Sequence, residues 1–308
     1  MAAFITYTGY FLAGYIALML FFYWLSLVVP KAGFVARSLA SYLALIISSL
    51  YGLAASLVFR TIGLNQLSQW TVARSFKYVM GLMTGVTFDV EDPHGHLEKI
   101  RPAVFLGNHQ TELDVLMLGC MFPKYCSVTA KASLKKIPFL GWFMALSGSV
   151  FLNRANSKDA REAMAGAAKE MRSKRQSVYM FPEGTRSYAK EPMLLPFKKG
   201  AFHLAVQAQV PIVPVVVANY SHILWIKGFV FKSGRVPCKV LDPISTTGLT
   251  AADVDELTRS TRELMLKEII ALTEKARGKP VAGAATPAVN HTNGLAKASG
   301  VDAMRVAA

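Results

Sequence analysis

Charged residues are absent from residues 4–29 and again from 38–59, and both stretches are apolar almost throughout. Each is long enough for the ~20 apolar residues that a helix needs to cross the hydrocarbon core of a bilayer. A short link carrying Pro30, Lys31, Gly33 and Arg37 separates them. The pattern predicts a helical membrane hairpin over residues 1–60, with Tyr23, Trp24 and Tyr42 as interfacial anchors. Ser, Gly and Tyr recur through both runs, which leaves open both a full crossing and insertion into one leaflet. Residues 1–10 carry no basic residue, and the first run exceeds the roughly 7–15 apolar residues of a signal peptide. A retained anchor is therefore expected.

Residues 61–84 read as an amphipathic connecting segment. From residue 85 the period changes, and short β-rich runs alternate with helical stretches, the pattern of an α/β domain. Strands are expected over 86–90, 103–106, 126–130, 149–152, 177–181, 212–218 and 239–241. Helices are expected over 112–121, 139–146, 158–174, 199–207 and 253–276. Within 158–174, Ala163, Ala167 and Met171 share one helical face, so this helix should pack on the sheet. The α/β domain then covers 85–277. Residues 278–308, rich in Ala, Gly, Pro, Asn and Thr, read as a flexible tail. No internal repeat is visible.

Composition narrows the class. Hydrophobic residues make up 53% of the 308, which excludes a disordered chain. Three cysteines cannot build a disulfide framework; Cys120, Cys126 and Cys238 read as buried small residues in a reducing compartment. Charged residues are 17%, below the roughly 25% of soluble domains. The formal net charge is +15, and the basic body that follows the hairpin suits anionic lipid headgroups or phosphorylated substrates. Nucleic acid is the competing reading of such charge, but no helix-turn-helix, zinc-finger or ribonucleoprotein-type sequence is present, and a membrane hairpin argues against it. The Lys and Arg distribution favours a cytosolic main domain.

Four stretches carry candidate chemistry. In 106–114 (LGNHQTELD) a strand ends at Gly107 and a helix starts near Thr111. His109 then sits in the turn, where the Asp114 carboxylate can fold back to one ring nitrogen. That bond fixes the tautomer and stabilises the imidazolium, leaving the other nitrogen to take a proton from a hydroxyl. A hydrogen-bonded structural histidine is the other reading of this stretch alone. In 181–187 (FPEGTRS) another strand ends; Gly184 permits close backbone approach and Arg186 offers a fork suited to phosphate. In 148–154 (GSVFLNR) a third strand ends in Arg154. In 210–216 (VPIVPVV) two prolines bracket a β-branched strand, either scaffold or a wall for an acyl chain.

In this order, the four stretches resemble the sequence blocks of the glycerolipid acyltransferase family, in particular the 1-acyl-glycerol-3-phosphate (lysophosphatidic acid) acyltransferases of fungi. The N-H-x4-D block is met by Asn108, His109 and Asp114, and G-x-x-F-[IL]-x-R by Gly148, Phe151 and Arg154. F-P-E-G-T-R-S is met throughout, and the V-P-[IV]-[IV]-P-[VI] block from Val210 to Val215. Thr111 stands where many members have Ser. The resemblance spans about 85–245. It implies an α/β acyltransferase domain whose mostly β sheet is flanked by helices, behind the two-helix hairpin. It further implies that His109 deprotonates the sn-2 hydroxyl of lysophosphatidic acid and that this oxygen attacks the acyl-CoA thioester directly. Asp114 would orient His109, with Asn108 supporting. Glu183, Gly184 and Thr185 would hold the acceptor, and Lys131, Arg154 and Arg186 would meet its phosphate. Acyl-CoA is then a co-substrate, no cofactor or metal is needed, and the endoplasmic reticulum membrane is the expected location.

Other features weigh less. Arg172, Lys174, Arg175, Lys198 and Lys199 suit CoA phosphates or headgroups but equally a solvated surface. Residues 225–232 (WIKGFVFK) suit either a bilayer contact or a strand pair. His94 and His96 lack matching metal-ligand spacing. Asn219 and Asn290 begin chance glycosylation patterns. Two rival functions remain open at this point: the same chemistry on another lysophospholipid or on glycerol 3-phosphate, and a non-catalytic lipid-binding protein.

Overall fold

The computed structural model describes residues 1–153 and 157–281, and of residues 157–161 the backbone only. The elements run, in chain order, α1 (Ala2–Leu25), α2 (Ala32–Thr61), α3 (Ser68–Thr84), β1 (Val86–Glu91), α4 (His96–Lys99), β2 (Val104–Gly107), α5 (Asp114–Met121), β3 (Cys126–Lys131), α6 (Leu140–Leu146), β4 (Val150–Leu152), α7 (Ser157–Lys174), β5 (Ser177–Met180), α8 (Gly200–Ala208), β6 (Ile212–Val217), β7 (Leu224–Trp225), β8 (Val230–Phe231), β9 (Gly234–Val240) and α9 (Val254–Arg277).

Seven strands form one sheet in the order β1-β9-β6-β2-β5-β3-β4. Strands β6, β2, β5, β3 and β4 are mutually parallel, and β9 joins them antiparallel, carrying β1 parallel to itself. Every residue of β2, β5 and β6 is buried, as expected of strands covered on both faces. Their side chains alternate between two cores. Phe105, Tyr179, Val213 and Val215 face α3 and α5 with Met80, Leu116 and Met117. Val104, Val178, Ile212 and Val216 face α7, α8 and α9 with Met171, Phe202, Leu204 and Met265. The helix over 157–174 buries Ala167 and Met171 there, while Ala163 stays half-exposed.

The hairpin forms, and its two helices behave differently. Both are long and apolar enough to cross a membrane by length and composition. Along α1 only Met19 is buried. Helix α2 buries a row of small residues, Ala32, Ala36, Ala40, Ala44, Ser48, Gly52 and Ser56, against α3 and α6. The row recurs every four residues, so it forms one helical stripe that allows close approach: a Cβ on Gly52 would lie 2.8 Å from Phe143 and 2.9 Å from Val72. Arg37 donates to the carbonyls of Thr84 (3.0 Å) and Phe231 (3.4 Å), and Tyr23 donates to that of Met83. Segment 61–84, read as a connector, is mostly α3, whose Val72, Ala73, Phe76 and Met80 belong to the core. Residues 225–232 form the β7–β8 pair, and the exposed Phe229 packs edge-on against Phe34 of α2.

Candidate active site

The parallel strands all end at one edge of the sheet, and the loops leaving them carry the polar residues. Gly107 closes β2; a Cβ there would lie 2.1 Å from the Tyr179 hydroxyl, so only glycine fits. Asn108 follows, buried, with its amide paired to the backbone of β6: Nδ2 donates to the Val217 carbonyl (3.0 Å) and Oδ1 accepts from the Val217 amide (2.9 Å). This pairing continues the β2–β6 ladder through a side chain and turns the next residue outward.

That residue is His109. Its ring stacks on Phe181 at 4.1 Å, and its Nδ1 lies 2.6 Å from Asp114 Oδ2. The imidazole is 19% exposed and the carboxylate 3%. Asp114 opens α5, and Oδ2 also accepts the amides of Gln110 (2.7 Å) and Thr111 (3.2 Å). With the carboxylate accepting, Nδ1 carries the proton and Nε2 is the basic nitrogen, on the ring edge away from Asp114. Helix α5 starts at Asp114 rather than at 112 because Thr111 Oγ1 takes the Leu113 amide (3.2 Å), a local turn that competes with helix.

The loop after β5 lies against this turn. The amides of Ser187 and Tyr188 donate to the carbonyls of His109 (3.0 Å) and Gln110 (3.1 Å). Glu183 is buried, and both of its oxygens meet main-chain amides: Oε1 that of His109 (2.7 Å), Oε2 that of Leu195 (2.9 Å). Burial raises its pKa above the ordinary carboxylate value, against the pull of those two amides. Gly184 has φ +70°, and a Cβ there would lie 3.0 Å from Lys198 Cδ and Cε, so the lysine stem crosses directly over it. Thr185 is exposed. Arg186 donates to Glu112 (3.0 Å) and Tyr188 (3.2 Å), while its buried Nε has no hydrogen-bond partner. Lys131 is exposed at the end of β3, in register with Leu152 of β4; Arg154, just beyond β4, lies outside the described residues.

The arrangement is a half-buried histidine hydrogen-bonded to a buried carboxylate, beside the turn that carries Arg186. A family model described as Acyltransferase matches residues 90–218. The 1-acyl-sn-glycerol-3-phosphate acyltransferase of Saccharomyces cerevisiae is 44% identical over 245 residues, which are 79% of this chain and 80% of the yeast protein.

The chain belongs to the acyltransferase family.

The human 1-acyl-sn-glycerol-3-phosphate acyltransferase beta is similar as well, 44% identical over 64% of this chain and 68% of its own length. The crystal structure of the 1-acyl-sn-glycerophosphate (LPA) acyltransferase PlsC from Thermotoga maritima shares the fold, with a TM-score of 0.59 at 23% identity over 86% of this chain and 96% of that one.

By sequence His109 and Asp114 share one strand-end turn and Glu183 and Arg186 another; in the structure of this acyltransferase the two turns lie side by side. Sequence reasoning missed Phe181 under the imidazole, Glu112 and Tyr188 on Arg186, and Tyr220. The stretch 219–221, a chance glycosylation pattern by sequence, has a structural part: Asn219 is buried and donates to the Ala189 carbonyl (3.0 Å) while accepting from Arg277 (2.7 Å). His96 pairs with Asp242 (3.1 Å), and among the described residues no group of three candidate ligands could hold a metal.

Proposed function

We propose that this acyltransferase moves a fatty acyl chain from acyl-CoA to the sn-2 hydroxyl of 1-acyl-glycerol 3-phosphate, giving phosphatidic acid. The reading is carried by the 2.6 Å His109–Asp114 contact, set beside the Arg186 turn in a chain of this family. Nε2 of His109 takes the sn-2 proton as the hydroxyl oxygen attacks the thioester carbonyl carbon. The tetrahedral intermediate collapses, the C–S bond breaks, and the imidazolium returns the proton to the departing thiolate. The Asp114 carboxylate stabilises the imidazolium.

Arg186, Lys131 and Arg154 serve the acceptor phosphate. Arg186 pairs with Glu112, and on binding the acceptor it exchanges that carboxylate for the more strongly anionic phosphate. Glu183 acts on the substrate indirectly, by fixing the His109 backbone and the 195 loop. Helix α1 and the outer face of α2 sit in the bilayer, with the catalytic domain on the cytosolic side of the endoplasmic reticulum. Exposed Phe4, Phe11, Phe21, Trp24 and Leu27 support insertion of the hairpin into a bilayer.

The test is release of CoA thiol by the detergent-purified protein given oleoyl-CoA with and without lysophosphatidic acid. Release that requires the acceptor supports the reading. Release without acceptor makes the protein a thioesterase, and release only with a different lysolipid changes the substrate.

A further inference from the structure

The catalytic carboxylate has a partner that the four sequence blocks do not include. We propose that Tyr220 is a positioning residue for the His109–Asp114 pair, its hydroxyl holding the carboxylate that holds the imidazole. This rests on the reading of His109 as the base.

Tyr220 follows β6 and is completely buried. Its ring packs edge-on against Phe88 of β1, at 5.9 Å and 87°. Its hydroxyl donates to Asp114 Oδ1 at 2.6 Å, accepts from the Thr111 amide at 3.2 Å and lies 2.9 Å from Thr111 Oγ1. The two oxygens of Asp114 are thereby divided. Oδ2 serves His109, Gln110 and Thr111, and Oδ1 serves the tyrosine. With both oxygens engaged, the carboxylate plane is fixed, and with it the direction in which Nε2 points.

The tyrosine is suited to be a permanent donor, since burial and the adjacent Asp114 hold its pKa well above the ordinary phenol value. Its donation also spreads the carboxylate charge, which moderates the pull of Asp114 on the imidazolium. The other titratable groups facing the pair are Glu183 after β5, Tyr179 within β5, Cys238 in β9, and Arg186 with its partners Glu112 and Tyr188. Tyr220→Phe removes none of these groups. A phenylalanine would fill the same apolar site against Phe88, so packing alone does not call for the hydroxyl.

The experiment compares full-length wild type and Tyr220→Phe in detergent micelles with lysophosphatidic acid and oleoyl-CoA across the pH range. Loss of a hydrogen bond to a charged group should lower kcat about tenfold, with each KM within about twofold of wild type. The acid limb of kcat/KM should move to higher pH, because the undivided carboxylate favours the imidazolium more strongly. In an Asp114→Asn background the same substitution should change kcat by less than about twofold, since the tyrosine works through the carboxylate. Site-specific 3-fluorotyrosine at position 220 retains the packing and offers a more acidic hydroxyl; it should move the acid limb to lower pH, and it stands as the test if Tyr220→Phe fails to fold. An acid limb and kcat unchanged in both variants would overturn the proposal, as would a full, additive loss in the Asp114→Asn background. Turnover that survives His109→Ala would instead refute the base assignment, whatever the tyrosine variants do.

Discussion

Replacing Asp114 by Asn isolates the charge at the centre of the site. The geometry tells the amide how to sit. Oδ2 faces three donors and Oδ1 faces one, so the asparagine places its oxygen at the Oδ2 position. Nδ1 of His109 keeps its proton, and Tyr220 turns its hydroxyl to Thr111 Oγ1 and accepts from the new NH2 group. The tautomer survives and the fold should too. What goes is the negative charge beside the imidazolium. Unit charges ~4 Å apart interact by ~4 kcal/mol at an effective dielectric near 20, and the 19% exposure of the imidazole leaves most of this in force. A loss of about 3–4 kcal/mol in the transition state corresponds to a fall in kcat of ~10²–10³-fold. The assay is thiol release from oleoyl-CoA with saturating lysophosphatidic acid, between about pH 5 and 9, the window in which a histidine base titrates. The acid limb should move to lower pH as the imidazolium loses its counter-charge, even as the plateau falls. A loss under about threefold, or a limb that does not move, would refute the role given to Asp114.

Three further outcomes follow from named contacts. Glu112→Gln frees Arg186 from an exposed ion pair worth about 0–1 kcal/mol, so the KM for lysophosphatidic acid should fall by up to about fivefold with kcat unchanged, measured by acceptor titration at low salt. Glu183→Gln offers one acceptor to the two amides of His109 and Leu195 and should cost roughly tenfold or more in kcat. Its pH signature has a definite sign: a carboxyl whose folded pKa is raised by burial contributes stability that is full below its unfolded pKa of about 4.5 and is lost as pH rises through the folded value, so the melting gap between wild type and variant should narrow from pH 4.5 towards pH 7. Gly52→Leu drives a side chain into Phe143 and Val72 and should destabilise by about 1–3 kcal/mol, whereas Gly14→Leu on α1, with nothing within 4 Å, should leave the melting temperature in detergent unchanged.

Much of this was legible because the chemistry is local. The turn from Gly107 to Asp114 and the turn from Pro182 to Arg186 each lie at the end of a strand and hold their own glycine and charged group, and the apolar run over 212–218 contains the strand Ile212–Val217. The hairpin was legible from the absence of charge alone. Less was legible wherever the partner is far away in the chain. Tyr220 reaches Asp114 across 106 positions, and no motif around it in sequence marks it as a partner of that carboxylate. Strand β9 begins at Gly234, well before the expected 239, because Arg235 and Pro237 hide its β character while β1 and β6 supply the pairing. Its antiparallel direction follows from the β7–β8 excursion that precedes it, which composition does not encode. The amphipathic pattern of 61–84 was visible, but what its apolar face covers depends on the small-residue stripe of α2.

The most direct measurement of the central claim is acceptor-dependent CoA release by wild type and His109→Ala, side by side, each with membrane insertion checked by flotation with liposomes. Wild type should release CoA only when lysophosphatidic acid is present, with phosphatidic acid formed in equal amount, and His109→Ala should float normally yet lose nearly all turnover. Full activity in His109→Ala would contradict the claim, and so would thiol release by wild type that ignores the acceptor.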